Sequence, residues 1–395
     1  MNILVLAPHS FYQDRGTPIA VNLLLKVLSE RGYRIDLVTY HEGGTIEYNN
    51  VTIHRIFNIP FVRNIRPGFS SKKLVCDFFM FFKVLSLVFR NRYKLVHAVE
   101  ESVFIALALK FLFRIPYVYD MDSSLPQQLV EKYRIFALFN PLLKFFEATA
   151  IKNSEVVLPV CDSLVEIVEK QNPKKVVTLR DVSLLKDEKE EYKASLKEQL
   201  AIDGLIVMYV GNLEAYQGID LLLESFALAL REIGKAELVI IGGTSIDIQK
   251  YREKCSLIGI KNKVHFLGPK TVESLNEYLT QADILVSPRV KGTNTPMKIY
   301  SYLHSGKAVL ATALPTHTQL LDRGVAVLAA PSPKQFSEGM LLLMRDKDLR
   351  LTLGEAGKRL IEEKYSYNSF KKELNGLYGW LETKLTKERV AAEGS

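Results

Sequence analysis

Side chains that could bind an anion are most concentrated in a loop between Ser287 and Lys298. The loop follows a short apolar run and carries hydroxyl groups, an amide and three cations: Arg289, Lys291, Thr293, Asn294, Thr295 and Lys298. Between a predicted strand and a predicted helix these groups suit a phosphate, because the first turn of a helix leaves backbone N–H groups without partners. The plainer interpretation is a solvated loop in which Thr293 or Thr295 caps the helix.

Glycines follow three predicted strands, at Gly16, Gly211 and Gly242-Gly243. Open α/β sheets bind ligands at the carboxyl ends of their strands, and glycine there lets a phosphate approach the backbone. A glycine after a strand also serves plain turn geometry. None of the three fits GxGxxG or GxxxxGK[ST], which excludes the dinucleotide fingerprint and the P-loop.

Titratable residues follow two further strands nearer the amino terminus. Asp122, with Asp120 beside it, comes after the apolar run Tyr117–Tyr119. We expect Asp122 at the ligand site, where a carboxylate could orient hydroxyl groups; the alternative is an N-cap for the helix that begins near Leu125. Two more candidates follow the run Leu95-Val96 and are expected to line the same site: His97 and Glu100.

The elements that position these residues occur twice along the chain. A buried strand, an amphipathic helix and a second strand are predicted at Ile3–Ala7, Ala20–Leu28 and Ile35–Thr39, and again at Leu205–Val210, Leu221–Leu230 and Glu237–Ile241. In the first unit a loop that reaches Pro18 joins the strand to its helix. Two such units predict two doubly wound α/β domains, at 1–180 and 181–365. A helix at 366–395 is expected to pack back on the first domain. The polar stretch Lys186–Leu200 is either a linker between the domains or the start of the second domain.

Composition narrows the class of protein. The 395 residues are 48% hydrophobic, with 52 Lys and Arg against 44 Asp and Glu, a net charge of +8. Such a chain is neither disordered nor a small disulfide scaffold. Its three cysteines are scattered without metal-ligand spacing, which favours reduced thiols and a cytoplasmic location. The amino terminus lacks the basic region of a signal peptide, and no run reaches the roughly 20 apolar residues of a spanning helix.

The excess of positive charge is concentrated between Phe61 and Lys94, where Asp77 is the single acidic residue. The basic residues there alternate with phenylalanines: Arg63, Arg66, Lys72, Lys73, Lys83, Arg90, Arg92 and Lys94, with Phe69, Phe78, Phe79, Phe81, Phe82 and Phe89. A second stretch of this kind runs from Ile135 to Phe146. We favour peripheral binding to an anionic membrane, at the inner face of the cell membrane. Nucleic acid is disfavoured without a recognition motif, and helices that merely cover a sheet remain the structural alternative.

The segment from Gly211 to Leu222, GNLEAYQGIDLL, resembles the G-R-L-x-x-x-K-G-x-x-x-L segment of retaining glycosyltransferases of family 4. Further stretches resemble the same family in order and spacing: Gly16-Thr17-Pro18, His265–Gly268, Ala282–Pro288 and Tyr302–Val309. The resemblance covers nearly the whole chain. It implies the GT-B fold, in which two Rossmann-like domains face each other across a cleft.

The resemblance also implies a reaction: transfer of a hexose from a nucleotide-sugar, with retention of configuration and without a metal or other cofactor. The second domain would bind the donor, with Gly242 and Gly243 at the nucleobase end. The first domain would bind a lipid-linked or polysaccharide acceptor. Its acceptor or phosphate loop would hold Arg15, Gly16 and Thr17.

The family's charged positions are replaced in this sequence. An arginine and a lysine that neutralise the donor diphosphate correspond to Asn212 and Gln217, and two glutamates correspond to Thr293 and Ser301. A histidine that contacts the transferred sugar corresponds to Asp122. Two explanations follow. Either the positive charge is relocated to Arg289, Lys291 and Lys298, which we favour, or the chain is an inactive binding partner in glycan assembly. A nucleotide-sugar epimerase of the same fold is a third, weaker alternative.

Overall fold

The computed structural model describes residues 1–14, 16–65, 68, 70–185 and 195–393. It divides into two compact units, unit 1 with Met1–Arg180 and Phe370–Ser395, and unit 2 with Asp181–Ser369. Arg15 and most of the predicted linker, residues 186–194, lie outside the described residues.

Unit 1 contains a six-stranded parallel sheet in the order β3-β2-β1-β4-β5-β6. The strands are β1 (Asn2–Ala7), β2 (Arg34–Thr39), β3 (Val51–Arg55), β4 (Leu95–Val99), β5 (Tyr117–Met121) and β6 (Val156–Pro159). The central strands are short apolar runs because helices cover both of their faces.

Five helices lie between these strands in the chain, and a sixth follows β6: α1 (Gly16–Glu30), α2 (Ser71–Arg90), α3 (Val103–Phe113), α4 (Leu125–Lys132), α5 (Asn140–Asn153) and α6 (Asp162–Glu169). Short 3₁₀ helices at Glu100–Ser102 and Arg134–Phe139 precede α3 and α5. Residues of α2, α3, α5 and α6 share one buried cluster with alternate residues of the strands. These four helices therefore lie on one face of the sheet.

Unit 2 repeats the architecture with the sheet order β12-β11-β10-β7-β8-β9. Its strands are β7 (Leu205–Val210), β8 (Ala236–Ile241), β9 (Val264–Gly268), β10 (Ile284–Ser287), β11 (Ala308–Thr312) and β12 (Val327–Ala329). Its helices are α7 (Leu196–Gln199), α8 (Ile219–Glu232), α9 (Ser245–Leu257), α10 (Leu275–Leu279), α11 (Lys298–His304), α12 (Pro315–Thr318), α13 (Pro333–Arg345) and α14 (Lys347–Lys364). The predicted pair of Rossmann-like domains is confirmed.

The last helix, α15 (Tyr367–Glu393), groups with unit 1 from Phe370 onward. Arg31, just beyond α1, donates to the backbone and side-chain oxygens of Asn375 and pairs with Glu382. Lys384 pairs with the buried Glu155 next to β6. Within the described residues no helix combines the length and the apolar character needed to cross a membrane.

The structure corrects two local predictions. The loop expected to reach Pro18 ends earlier because α1 begins at Gly16; proline fits the first turn of a helix, where its missing N–H has no partner to lose. His97, expected to follow a strand, lies inside β4, which continues to Val99, and its side chain is fully buried.

Candidate functional site

Glycine turns meet at the carboxyl edge of three neighbouring strands in unit 2. Gly211 follows β7, Gly242 and Gly243 follow β8, and Gly268 ends β9. The Gly211 N–H donates to Ile241 O, and the Gly242 N–H donates to Gly268 O. A β-carbon on Gly242 would lie 2.1 Å from Gly211 O. The two turns therefore pack backbone against backbone, which requires glycine at Gly242.

Lys298, the first residue of α11, directs its ammonium group toward this edge. Its Nζ donates to Gln217 Oε1 at 3.0 Å and lies 4.0 Å from the centre of the Tyr209 ring. A β-carbon built on Gly211 would lie 3.0 Å from the same Nζ. No carboxylate among the described residues pairs with this cation. Burial, and then the charge of Arg289, hold the pKa of the Lys298 ammonium well below its usual range.

Arg289 is buried, and its guanidinium group forms hydrogen bonds within its own loop. Its Nε donates to Lys291 O at 2.7 Å, and its two terminal nitrogens donate to Asn294 O and Asn294 Oδ1 at 3.1 and 3.0 Å. The guanidinium group also lies over the Tyr216 ring, 5.3 Å from its centre. Arg289 therefore shapes the loop from 289 to 294, and its charge acts on Lys298 from there.

The remaining residues predicted at this site differ in their surroundings. Thr295 is buried, and its hydroxyl has no hydrogen-bond partner among the described residues. Thr293 O accepts from Gln319, whereas Lys291 is exposed. Ser301 is buried one turn after Lys298, and its Oγ accepts from the Leu184 N–H at 3.1 Å. Ser301 and the Lys298 ammonium are therefore not brought into contact.

Asn212 and Gln217 stand where the resembling family has its two cations. Asn212 Oδ1 accepts from the Glu214 N–H, and Asn212 Nδ2 is 3.5 Å from the Tyr216 hydroxyl. Gln217 is buried and accepts from Lys298. A cation thus occupies the neighbourhood of position 217, although it comes from a different part of the chain.

Sequence analysis did not identify two residues at this edge as site residues: Tyr209 and Tyr216, whose rings contact Lys298 and Arg289. The two tyrosines belong to a strand and to a 3₁₀ turn, so nothing in the sequence separates them from core residues. His317 is buried and hydrogen-bonded to Ser287 and Thr312 at the ends of β10 and β11. Burial lowers the pKa of His317 to about 3, so the imidazole is neutral and holds the two strand ends together.

Unit 1 carries its candidate residues at the equivalent edge of its own sheet. Gly16 and Thr17 open α1 after β1, Glu100 follows β4, and Asp122 follows β5. Since β1, β4 and β5 are neighbours, these positions share one edge. Arg15 lies outside the described residues.

Carboxylates gather at this edge around one buried lysine. Lys73 on α2 is paired with Glu101, and Tyr40 donates to Asp77 at 2.5 Å. Burial, and then the nearby Glu101, raise the pKa of both Asp77 and Glu100. Glu100 also has a positive φ of 48°, a strained conformation for a residue other than glycine. Lys73 was expected on the basic surface, and that placement is wrong because its side chain is turned inward.

His97 on β4 contacts the carboxylate of Asp120 on the neighbouring strand β5. Its Nε2 is 3.1 Å from Asp120 Oδ2, and its Nδ1 is hydrogen-bonded to the Tyr378 hydroxyl at 2.8 Å. Tyr378 belongs to α15, and its ring stacks on the imidazole. His97 therefore positions a carboxylate.

The start of α4 is held by a residue from another helix. Glu147 on α5 accepts from the Ser124 hydroxyl at 3.0 Å and from the Leu125 N–H at 3.1 Å. Ser124 is the N-cap of α4, and its own side chain makes no capping hydrogen bond. Burial raises the pKa of Glu147 to about 7.

This pKa predicts a pH dependence of stability. A carboxyl whose pKa is higher in the folded chain than in the unfolded chain stabilises at low pH, and the contribution is lost as pH rises from about 4.5 to about 7. At about 1.4 kcal/mol per pKa unit, Glu147 should account for roughly 3 kcal/mol. Denaturant unfolding at pH 5 and pH 8 measures it. The Glu147→Gln variant should lose that part of the difference, and Glu166→Gln, at an exposed position on α6, should keep it. An unchanged difference in Glu147→Gln would contradict the assignment.

Comparisons with known proteins relate both halves of the chain to glycosyltransferases. Residues 15–180 match the family described as Glycosyltransferase Family 4, and residues 204–346 match the one described as Glycosyl transferases group 1. An uncharacterized glycosyltransferase of Methanocaldococcus jannaschii is 21% identical over 359 residues, which cover 84% of this chain and 85% of the relative.

Two solved structures share the fold over almost the full chain. Sucrose-phosphate synthase from Thermosynechococcus elongatus has a TM-score of 0.76 at 17% identity, covering 97% of this chain and 99% of that one. HepE of Anabaena, solved in complex with UDP-glucose, has a TM-score of 0.73 at 14% identity, with 96% and 99% covered. These structures show that the chain has the GT-B fold, with two Rossmann-like domains. The two family models together identify it as a glycosyltransferase.

Proposed function

We propose that this chain transfers a hexose from a nucleoside diphosphate sugar to a saccharide or lipid-linked acceptor, with retention of configuration and without a metal. Unit 2 binds the donor, and unit 1 contacts the acceptor. The observation that carries the proposal is the Lys298 ammonium group, which lies without a carboxylate partner among the described residues beside Gly211 and Gln217.

Electrostatics favour a diphosphate at this position. A cation taken out of water without a counter-charge is costly, and a bound anion removes that cost. The leaving diphosphate gains negative charge in the transition state, where a nearby cation is worth most. Thr295 adds a buried hydroxyl without a partner among the described residues. These features support the explanation that the positive charge of the diphosphate site has been relocated to Lys298, rather than the explanation that the chain is inactive.

The relatives suggest which donor to test first. The Anabaena protein HepE was solved with UDP-glucose, and this chain shares its fold. We therefore place UDP-glucose first among candidate donors. In front-face retaining transfer the donor phosphate can itself accept the acceptor's proton. Asp122 is accordingly assigned as a contact to sugar or acceptor hydroxyls rather than as a base.

The experiment that tests the function is a binding and turnover screen with UDP, GDP, ADP and dTDP sugars. A ligand that binds the folded chain but not the unfolded chain raises the melting temperature. At a concentration 100 times Kd it adds about 2.7 kcal/mol to the free energy of unfolding. We expect one nucleotide class to bind, and its sugar to be released slowly to water or transferred to added saccharides. Binding without turnover would favour the alternative, an inactive assembly partner. No shift with any nucleotide would overturn the proposal.

A further inference from the structure

Helices α2, α3 and α5 form one layer on one face of the unit 1 sheet. Their inward residues, Met80, Ala106 and Ile151, belong to a single buried cluster with Leu6 and Ala98 of the sheet. The sides turned away from that cluster share one outer surface, here called the outer helical face.

An apolar stripe runs along α2 on this outer helical face. It consists of Leu74, Phe78, Phe82 and Phe89, at spacings of four, four and seven residues. The core side of the same helix holds Cys76, Met80, Val84 and Leu87. At about 100° per residue the stripe lies nearly opposite the core side. Covering the sheet therefore explains the inward residues but leaves Phe78 and Phe82 59% and 52% exposed.

A second stripe covers the start of α5 and the 3₁₀ helix before it. Its exposed members are Ile135, Leu138, Phe139, Leu142, Phe145 and Phe146. Their spacings of three, one, three, three and one residues keep them on one side of a helical segment. The end of α3, where Phe111 and Leu112 are exposed, belongs to the same layer, and Phe113 contacts Phe89 of the first stripe with ring centres 5.4 Å apart.

The charges near the first stripe have one sign. The exposed basic residues are Arg63, Lys72, Arg90, Arg92 and Lys94, and Lys144 lies within the second stripe. Asp77, the single acidic residue between Phe61 and Lys94, is hydrogen-bonded to Tyr40 rather than directed outward. Lys73 and Glu101 neutralise each other inside the unit.

We infer that the outer helical face of unit 1 binds the surface of a membrane that contains anionic lipids. Basic residues meet the headgroups, and the phenylalanine stripes enter the boundary beneath them. Charge complementarity selects this occupant, because an apolar face of a second copy would bring the same positive charges together. Contiguous exposed phenylalanines have no use in binding a phosphate backbone. The inference goes beyond the proposed transfer reaction and does not rest on it.

The test is sedimentation of the full chain with phosphatidylcholine vesicles, with and without 30% phosphatidylglycerol. We expect binding to the anionic vesicles, weaker binding at 0.5 M salt and little binding to the neutral ones. Phe78→Ser with Phe82→Ser should reduce partitioning by more than tenfold, because two large side chains no longer leave water. Arg90→Gln with Arg92→Gln should reduce it about 25-fold, at about fivefold per charge.

The control is a pair in unit 2, Ile246→Ser with Leu257→Ser, at positions that are 78% and 86% exposed on α9. This pair removes two apolar side chains that are more exposed than Phe78 and Phe82 but do not belong to the outer helical face, and it should leave vesicle binding unchanged. Melting curves establish that all variants are folded. Absence of binding to anionic vesicles, equal loss in the control pair, or a lipid-free dimer that the Phe78 and Phe82 substitutions dissociate would each overturn the inference.

Discussion

Replacement of Lys298 by alanine or methionine should lower nucleotide-sugar affinity and turnover together, turnover by roughly 10²–10³-fold. The reason is that its ammonium group is the cation placed against the Gly211 turn and Gln217, where the diphosphate is proposed to bind. Isothermal titration with UDP and UDP-sugars, and release of UDP, measure the two losses. Lys298→Met keeps an apolar side chain of similar length but removes the ammonium group that lies over the Tyr209 ring, so it isolates the charge.

Stability separates this role from that of its neighbour. Loss of a half-buried cation without a carboxylate partner among the described residues should leave the free energy of unfolding unchanged or raised. Arg289→Ala should lower it, because three hydrogen bonds to Lys291 and Asn294 are lost. Lys235→Ala, at an 83% exposed position before β8 and at the opposite edge of the sheet, is the matched control and should change neither property. Unaltered affinity and turnover in Lys298→Met would refute relocation of the charge.

The same contact sets a pH dependence of binding. In the free chain the pKa of Lys298 is lowered, and a bound diphosphate would raise it again. Binding therefore takes up a proton once the pH exceeds the pKa of the free chain, and affinity falls as pH rises further. Calorimetry in two buffers that differ in ionisation enthalpy measures this uptake, which Lys298→Met should abolish.

Strands in the middle of each sheet were predictable because burial on both faces demands apolar side chains throughout. The edge strand β3, which is only partly buried, was not predicted. The run Leu205–Val210 is β7, and the loop and helix that follow it were placed correctly. Gly16 and Pro18 were misjudged as loop residues because both are also tolerated in the first turn of a helix. A local pattern cannot separate the two uses.

The contacts within the site could not be predicted because they join distant segments. Gln217 and Lys298 are 81 residues apart, and they meet because β10 pairs with β7. In the same way, the sequence alone predicted Lys73 to be a surface cation, whereas in the structure it is buried and paired with Glu101. Sequence indicates which residue types gather at a sheet edge, but pairing order decides which of them touch.

Replacement of Gly242 by alanine should disrupt the donor edge and destabilise unit 2 by roughly 2–6 kcal/mol. Two effects contribute. A φ of +112° is strained for any residue with a β-carbon, and that carbon would lie 2.1 Å from Gly211 O. Strain and overpacking each cost about 1–3 kcal/mol. The clash would displace the backbone of Gly211, whose turn lies beside the Lys298 ammonium group. Nucleotide affinity should therefore fall even at temperatures where the variant remains folded.

Gly259→Ala separates these effects. Gly259 has a φ of +75°, yet nothing lies within 4 Å of its β-carbon position, so the variant carries the strain without the clash. It should cost about 1 kcal/mol and leave nucleotide affinity unchanged. Denaturant unfolding followed by titration with UDP-sugars compares the two variants on both properties. If Gly242→Ala bound nucleotide as tightly as Gly259→Ala, the contact between the first two glycine turns would not shape the donor site. Steric exclusion at one backbone carbonyl thus links the stability of this sheet edge to its capacity to bind a phosphate.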